Sequence, residues 1–485
     1  MPPAFQPRQS FLPYRAVVER GGSGDLYKLR VTEHLRPAND AARFVVYWAQ
    51  AHRRIENNLA LDFAIERANR LGLPVVVYEA VRPDYPQAND RIHTFILEGV
   101  CRNARDAEAR GLRYVFFLPR TPMEARGSLY KLAAMAESVV TDEYPTFILR
   151  DQTRRFAERC SVSVFTIDQN GILPMRAFAR EQYSAKFLRD RAHRIIPDFY
   201  AAPYALSPSF DLFRGDLPIE SWDGINTSAA AASCEIDHSI RPVTSKGGRE
   251  EGLRRLEEFI RNRLEGYAAK RNREAMRTSE LSPYLHFGFV GIHEVFERVL
   301  LSSAPKIDID AFLEEAVIRR ELSFNFCHFR EDHTSISALP EWALKTLEEH
   351  AADRRKPSYS RNEIERGATY DEVWNLAHRG LLEIGTIHNY LRMLWGKKII
   401  EWSATPAEAL ETMEYLHDKY AIDGRDPNTH AGVLWCLGKH DRAWAPARPI
   451  FGMVRYMSSD STKKKVDLKA YQLLIHQRSA DAKRL

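Results

Sequence analysis

An α/β domain built on a parallel, doubly wound sheet, followed by an all-helical domain, is the fold class this sequence predicts, and three observations carry it. The chain has 485 residues, 44% of them hydrophobic, which is more than one core usually organises, so two domains are the default. Between residues 42 and 168, short β-branched or aromatic runs alternate with amphipathic stretches, and strands separated by helices imply parallel pairing. After about Arg249 the apolar residues fall at i, i+3, i+4 nearly to the end, which is the period of a helix with one buried face.

The strand runs are 44–48, 75–78, 114–118, 139–141 and 162–167, with helical patterns such as 58–70 and 92–109 between them. The first strand is followed by Ala49-Gln50-Ala51-His52-Arg53-Arg54 and not by GxGxxG, so a standard dinucleotide fingerprint is absent. Residues 196–250 hold Pro197, Pro203 and Pro208, the Ala/Ser run 228–233 and Lys246-Gly247-Gly248, which reads as a long connection. The expected division is therefore 1–195 for the α/β domain, 196–250 for the connection and 251–485 for the helical domain. Within the last, 253–273, 312–327, 384–402 and 406–420 are the expected helices.

Composition narrows the function classes. The cysteines (Cys101, Cys160, Cys234, Cys327, Cys436) are scattered, with no CxxC pair and no Cys/His cluster, which fits free thiols in a reducing compartment and argues against structural zinc, so no metal is expected. The first 14 residues lack the apolar core of a signal peptide, and no apolar run of about 18 residues occurs. A cytoplasmic, membrane-free protein is the expectation. The net charge of +5 is too mild to identify a nucleic-acid binder. Tryptophan is more telling, because five of the eight (Trp374, Trp395, Trp402, Trp435, Trp444) lie in the last quarter of the chain.

Trp395 and Trp402 are seven residues apart within one helical pattern, hence on one face and about 10 Å apart along the axis. Indoles so spaced can pass an electron, or can simply pack in a core.

Six words in order distinguish these readings: Ser282-Pro-Tyr-Leu-His-Phe-Gly288; Phe312-Leu-Glu-Glu315 with Arg320-Glu-Leu322 and Asn325-Phe-Cys327; Asp423-Gly-Arg-Asp-Pro-Asn428; His440-Asp-Arg442; Pro449-Ile-Phe-Gly452; and Arg455-Tyr-Met457. In order and approximate spacing they resemble the class II branch of the photolyase/cryptochrome family. The resemblance implies an N-terminal α/β antenna-type domain, a helical domain binding FAD in a U shape, and the activity of a deoxyribodipyrimidine photo-lyase. Such an enzyme is a carbon–carbon lyase that uses light and reduced FAD to split cyclobutane pyrimidine dimers in DNA.

By the same match, Tyr267, Ser279, Leu281 and Ser282 stand near the FAD phosphates and ribityl chain, and Arg392 and Asp423 form a salt-bridged pair beside the isoalloxazine. Trp395, Trp374 and Trp402 correspond to the chain that carries an electron from the surface to the photoexcited flavin. Glu315, Asn272, Met393, Trp435 and Trp444 line the pocket for the flipped lesion, Glu315 holding the carbonyl-bearing edge of the dimer. Arg271 and Arg442 support the flipped strand, Arg442 filling the gap in the stack. Lys397-Lys398 and Lys463-Lys464-Lys465 are expected to grip phosphates. The implied partner is UV-damaged DNA, and a monomer is expected.

Four departures mark this chain. His417 stands where the family has an Asn facing flavin N5, and an imidazole, unlike an amide, can titrate near pH 6.5. His378 stands where the family has Gln, and one residue is missing between Trp435 and Trp444. The family's YWxxRDxRxxDNWAL reads Tyr47-Trp-Ala-Gln-Ala-His-Arg-Arg-Ile-Glu-Asn-Asn-Leu-Ala-Leu61, which leaves open an antenna chromophore of the deazaflavin or folate type. The alternatives are a cryptochrome-like light sensor and an FAD photoenzyme with another substrate.

Overall fold

The computed structural model describes residues 9–22, 24–201 and 205–482. Its sheet comprises β1 (Val31–His34), β2 (Phe44–Ala49), β3 (Val75–Ala80), β4 (Arg113–Phe117), β5 (Ala136–Asp142) and β6 (Ser163–Ile167), in the order β1-β6-β5-β2-β3-β4. Strands β2 to β6 pair in parallel, while β1 pairs antiparallel with β6. The five expected strands pair in parallel, and β1, which was not expected, adds one antiparallel edge. The reason is physical: β2 is buried on both faces and reads as an apolar run, whereas Val-Thr-Glu-His of β1 is half-buried at best and carries no such signal.

Helices cover both faces of the sheet, among them Leu59–Leu71, capped by the Asn58 side chain accepting from Leu61 N–H. The stretch expected as one helix over 92–109 is two, Asp90–Leu97 and Val100–Ala109. The break falls at Gly99, where a Cβ would lie 2.5 Å from the Phe289 ring and 3.3 Å from the Gly248 Cα. Phe289 of the helical half and Gly248 of the connection pack against the chain there. The 196–250 segment carries the end of helix Ala185–Phe199 and the helix Thr227–Ala232. It also packs back on the sheet half through Trp222 N–H to Phe116 O and Asp237 N–H to Ala88 O.

In the second half, 253–273 is again two helices, Arg249–Asn262 and Tyr267–Lys270. Between them Asp308 accepts from the backbone N–H groups of Gly266 and Ala268, each at 2.9 Å. Lys306–Leu313 and Arg320–Phe329 are joined through a widened, π-type turn, Glu314–Arg319. Such turns concentrate at functional sites because they displace side chains from the regular helical register. Glu372–Ile384, Asn389–Trp402, Pro406–Tyr420 and Pro427–Cys436 pack around one apolar core containing Trp374, Trp395 and Trp402. A second core joins the halves, with Phe95 and Ile96 of the first against Tyr284, Phe287 and Phe289 of the second. Among the described residues no helix is long and apolar enough to cross a membrane.

Candidate functional site

Three elements of the helical half bring buried polar groups to one place. Arg392 lies in the first turns of Asn389–Trp402, His417 near the end of Pro406–Tyr420, and Asp423 in the loop that follows. That loop sits tight on the helix end: a Cβ at Gly424 would lie 2.5 Å from the His417 carbonyl oxygen, so only glycine lets the chain turn there. Ser282 Oγ donates to Asp423 Oδ2 at 2.5 Å, and Arg392 Nη2 is 3.8 Å from the same oxygen.

The remaining polar atoms are unsatisfied. Arg392 Nε, Asp423 Oδ1 and His417 Nδ1 are all buried and have no hydrogen-bond partner in the protein. Each such atom costs about 1–3 kcal/mol unless something completes it. A cation, a carboxylate oxygen and an imidazole nitrogen left open together match the mixed donor and acceptor edge of an isoalloxazine, so these residues fit a flavin. Burial, and next the positive charge of Arg392, hold the His417 imidazole well below its ordinary value. The expectation that it titrates near pH 6.5 is therefore corrected: at neutral pH the ring is uncharged.

On the same side, Ser279, Leu281 and Ser282 are fixed by a residue the sequence did not single out. Glu280 has φ +57° and pairs with Arg478 at 2.6 Å, Arg255 at 3.1 Å and Arg263 at 3.3 Å. Burial alone would raise its carboxyl, but Arg478 and Arg255 hold it below the usual range. Its partners are distant in sequence, so no local pattern marks it. Tyr267 is buried edge-on against Phe259 and Phe312, with the Arg271 guanidinium 5.6 Å from its ring centre.

The three tryptophans are in contact. Trp374 lies parallel to Trp395, centroids 6.5 Å apart at 5°, and edge-on to Trp402 at 5.1 Å. Trp374 therefore bridges the pair that shares a helix. At the inner end Trp395 meets His417 edge-on at 5.2 Å, next to the unsatisfied group. At the outer end Trp402 is 0% exposed, so it is not itself the surface terminus; Tyr359 and Tyr370 lie against it at 5.3 and 6.0 Å, and Tyr370 is 57% exposed.

From Met393, which follows Arg392, contacts run through the residues matched to the lesion pocket. Arg271 Nη1 pairs with Glu315 Oε1 at 2.5 Å. Four residues on in the π-type turn, Arg319 stacks 5.2 Å from the Trp435 ring. The next residue, Cys436, sets its Sγ 3.5 Å from Met393 Sδ. One turn back from Met393, Asn389 donates to Asn272 Oδ1 at 3.3 Å, and Asn272 adjoins Arg271. Outside this run of contacts, Trp444 lies between two guanidinium groups, Arg442 at 4.4 Å and Arg455 at 4.9 Å.

The lysine doublet is placed differently from expectation. Lys397 and Lys398 are buried, Lys397 donating to the Cys436 carbonyl and Lys398 pairing with Glu401 at 2.9 Å and Asp371 at 3.6 Å. They hold helices together and do not face a phosphate. Lys463, Lys464 and Lys465 are exposed. In the other half, a cavity of about 890 Å³ opens where the sheet meets the helical domain, lined by Trp48, Gln50, Tyr78, Arg82, Phe287 and Arg425 among others.

Comparison with known proteins gives a consistent result. No family model matches the chain. The deoxyribodipyrimidine photo-lyase of Methanothermobacter thermautotrophicus is 37% identical over 433 residues, 88% of this chain and 93% of that protein. The one from Arabidopsis thaliana is 32% identical, covering 90% of this chain and 89% of its own. Among solved structures, a class III photolyase from Agrobacterium tumefaciens superposes with a TM-score of 0.66 at 18% identity, covering 90% of this chain and 86% of its own. A cryptochrome from Synechocystis gives 0.68 at 14%, covering 90% and 89%.

Proposed function

This chain belongs to the deoxyribodipyrimidine photo-lyase family, and from that premise we propose that it repairs cyclobutane pyrimidine dimers in UV-damaged DNA, using light and FAD. The observation that carries the proposal is that an open polar set and the residues matched to the lesion pocket meet at one helix, Asn389–Trp402. The run of contacts from Arg271 through Glu315, Arg319, Trp435 and Met393 to Asn272 reaches the unsatisfied set there, where Met393 follows Arg392. A cofactor held by Arg392, Asp423 and His417 would adjoin a flipped pyrimidine dimer held by the residues around Met393.

FAD, when bound, supplies the light absorption and the one-electron chemistry. The chain's residues do the rest. Arg392 and Asp423 offer one donor and one acceptor to the flavin edge, and neutral His417 offers Nδ1 as acceptor or donor according to tautomer. Ser279, Leu281, Ser282 and Tyr267 hold the phosphate and ribityl side. Glu315 and Asn272 read the polar edges of the flipped pyrimidines, while Trp435 and Met393 give the stacked, apolar wall that excludes water. Trp444 and Arg442 support the opened strand. Trp402, Trp374 and Trp395 relay an electron inward to restore the reduced cofactor. The division into an antenna-type domain at 1–195, a connection at 196–250 and a FAD- and DNA-binding domain at 251–485 belongs to the same reading, and the 890 Å³ cavity is the space available to an antenna chromophore.

The test is to substitute Glu315→Ala and Trp435→Ala separately. Each is expected to keep bound flavin and lose light-driven repair of a dimer-containing oligonucleotide. Loss of flavin in either would move that residue to the cofactor side and break the assignment.

A further inference from the structure

His378 occupies a position in the aromatic chain that its neighbours define without ambiguity. It lies four residues after Trp374 on Glu372–Ile384, which stacks the imidazole on the indole at 4.7 Å and 16°. The ring is 0% exposed. Its Nε2 is 2.9 Å from the Glu365 carbonyl oxygen. A carbonyl only accepts, so Nε2 carries the hydrogen and Nδ1 is left with a lone pair. Into that lone pair points the indole N–H of Trp395, 3.2 Å away, and an indole nitrogen only donates. Two obligatory partners therefore fix the tautomer.

We propose that His378 is the proton acceptor of Trp395, so that oxidation of this indole is coupled to transfer of its N–H proton. Trp395 loses one electron to photoexcited oxidised FAD, which is thereby reduced by one electron. The Trp395 Nε1–H bond breaks, an Nδ1–H bond forms on His378, and the pair ends as a neutral indolyl radical beside an imidazolium. The inference rests on reading Trp395 as the electron donor to the flavin.

Burial pushes His378 down to about 4, which keeps the ring neutral and its acceptor site open at neutral pH. That same burial does not oppose the transfer. Once Trp395 is oxidised, one positive charge already sits inside the protein, and the proton carries it across a single hydrogen bond without adding to the buried charge. Glu365, whose backbone carbonyl accepts from His378, directs its carboxylate to Lys419 at 2.7 Å and Tyr420 at 2.8 Å, so it does not neutralise the imidazolium by direct contact. A positive charge stacked on Trp374 makes a second one there unfavourable. The relay through Trp374 and Trp402 is consequently slowed at its first outward step, from Trp395 to Trp374.

Two measurements test this. Nitrogen-15 NMR of His378 at neutral pH, with and without flavin, is expected to give the neutral ring protonated at Nε2. Transient absorption of the flavin-loaded protein after a light pulse is expected to give the neutral tryptophan radical, formed more slowly in D2O. In His378→Gln, whose amide can accept the hydrogen bond but cannot keep the proton, the radical cation is expected to live about tenfold longer, which corresponds to a barrier raised by about 1.4 kcal/mol. A cation lifetime equal in the two proteins, a wild-type signal insensitive to D2O, or an Nδ1-protonated ring overturns the proposal alone. A wild type with no tryptophan radical of either kind overturns the electron-donor reading and this proposal with it. The isotope measurement needs no variant, so the test stands even if His378→Gln fails to fold.

Discussion

Two buried aspartates, one in each half of the molecule, differ in what surrounds them. Asp142, at the end of β5, accepts five hydrogen bonds: from the backbone N–H groups of Gln50, Ala51 and His52, from the Tyr47 hydroxyl and from the Gln169 amide, all at 2.9–3.0 Å. Asp423 accepts one short bond from Ser282, faces Arg392 at 3.8 Å and leaves Oδ1 with no partner. Both are almost fully buried. The first is complete within the protein and pins the loop after β2, so its role is structural. The second is complete only with something added. Equal burial with unequal satisfaction is what separates a scaffold carboxylate from a binding carboxylate here.

The comparison breaks most directly at the aspartates themselves. Asp142→Ala leaves three backbone N–H groups unsatisfied and removes one bond each from Tyr47 and Gln169, and is expected to cost about 3 kcal/mol or more of stability in urea unfolding followed by circular dichroism. Asp423→Ala is expected to cost the flavin-free protein less than about 1 kcal/mol while weakening flavin affinity at least about tenfold. Similar stability losses in both would erase the distinction.

A second prediction spans the halves. Burial lowers His52 and His378 to about 4 and His93 and His440 to about 3. In the unfolded chain they titrate near 6.5. Between these values the unfolded state takes up protons the native state refuses, so stability is fully present above pH 6.5 and falls as pH drops. Each group contributes up to about 1.4 kcal/mol per pH unit in that window. Denaturation midpoints across pH 4.5–7.5 check this, and His378→Gln is expected to make the slope shallower.

How far the sequence reached follows the same division between local and assembled features. The strands buried on both faces were legible as apolar runs, and the helical half was legible by its period. β1 was not, because its four residues bury too little to leave a pattern. Arg392, Asp423 and the tryptophans were legible only as words resembling a family; that Trp374 comes between Trp395 and Trp402 is a tertiary fact, since 21 residues separate it from one and 28 from the other. The expectation that Lys397 and Lys398 grip phosphates fails because a lysine doublet looks exposed until the carbonyl of Cys436 and the carboxylates of Glu401 and Asp371 are known to lie beside them. Glu280 carries no local signal because its arginines come from two separate segments, Arg255 and Arg263 at one helix and Arg478 near the end of the chain.

Smaller effects sharpen the picture on the DNA side. Trp435→Ala is expected to weaken binding of dimer-containing DNA by about 1–3 kcal/mol, the usual worth of an aromatic stacked on a base, with undamaged duplex bound as before in a fluorescence titration. Lys463→Ala, at an exposed position, is expected to weaken damaged and undamaged DNA alike and to reduce the salt slope of binding by about 1.

The central claim is that a flavin completes the open polar set and works on a dimer held beside it. It is tested most directly by purifying the protein, recording its flavin spectrum and illuminating it with an oligonucleotide containing a cyclobutane thymine dimer. Bound FAD at about one per chain, with thymine absorbance restored in the light and not in the dark, is the result expected. Bound flavin with no repair in the light, even after chemical reduction, would contradict the claim and leave a light-sensing flavoprotein in its place.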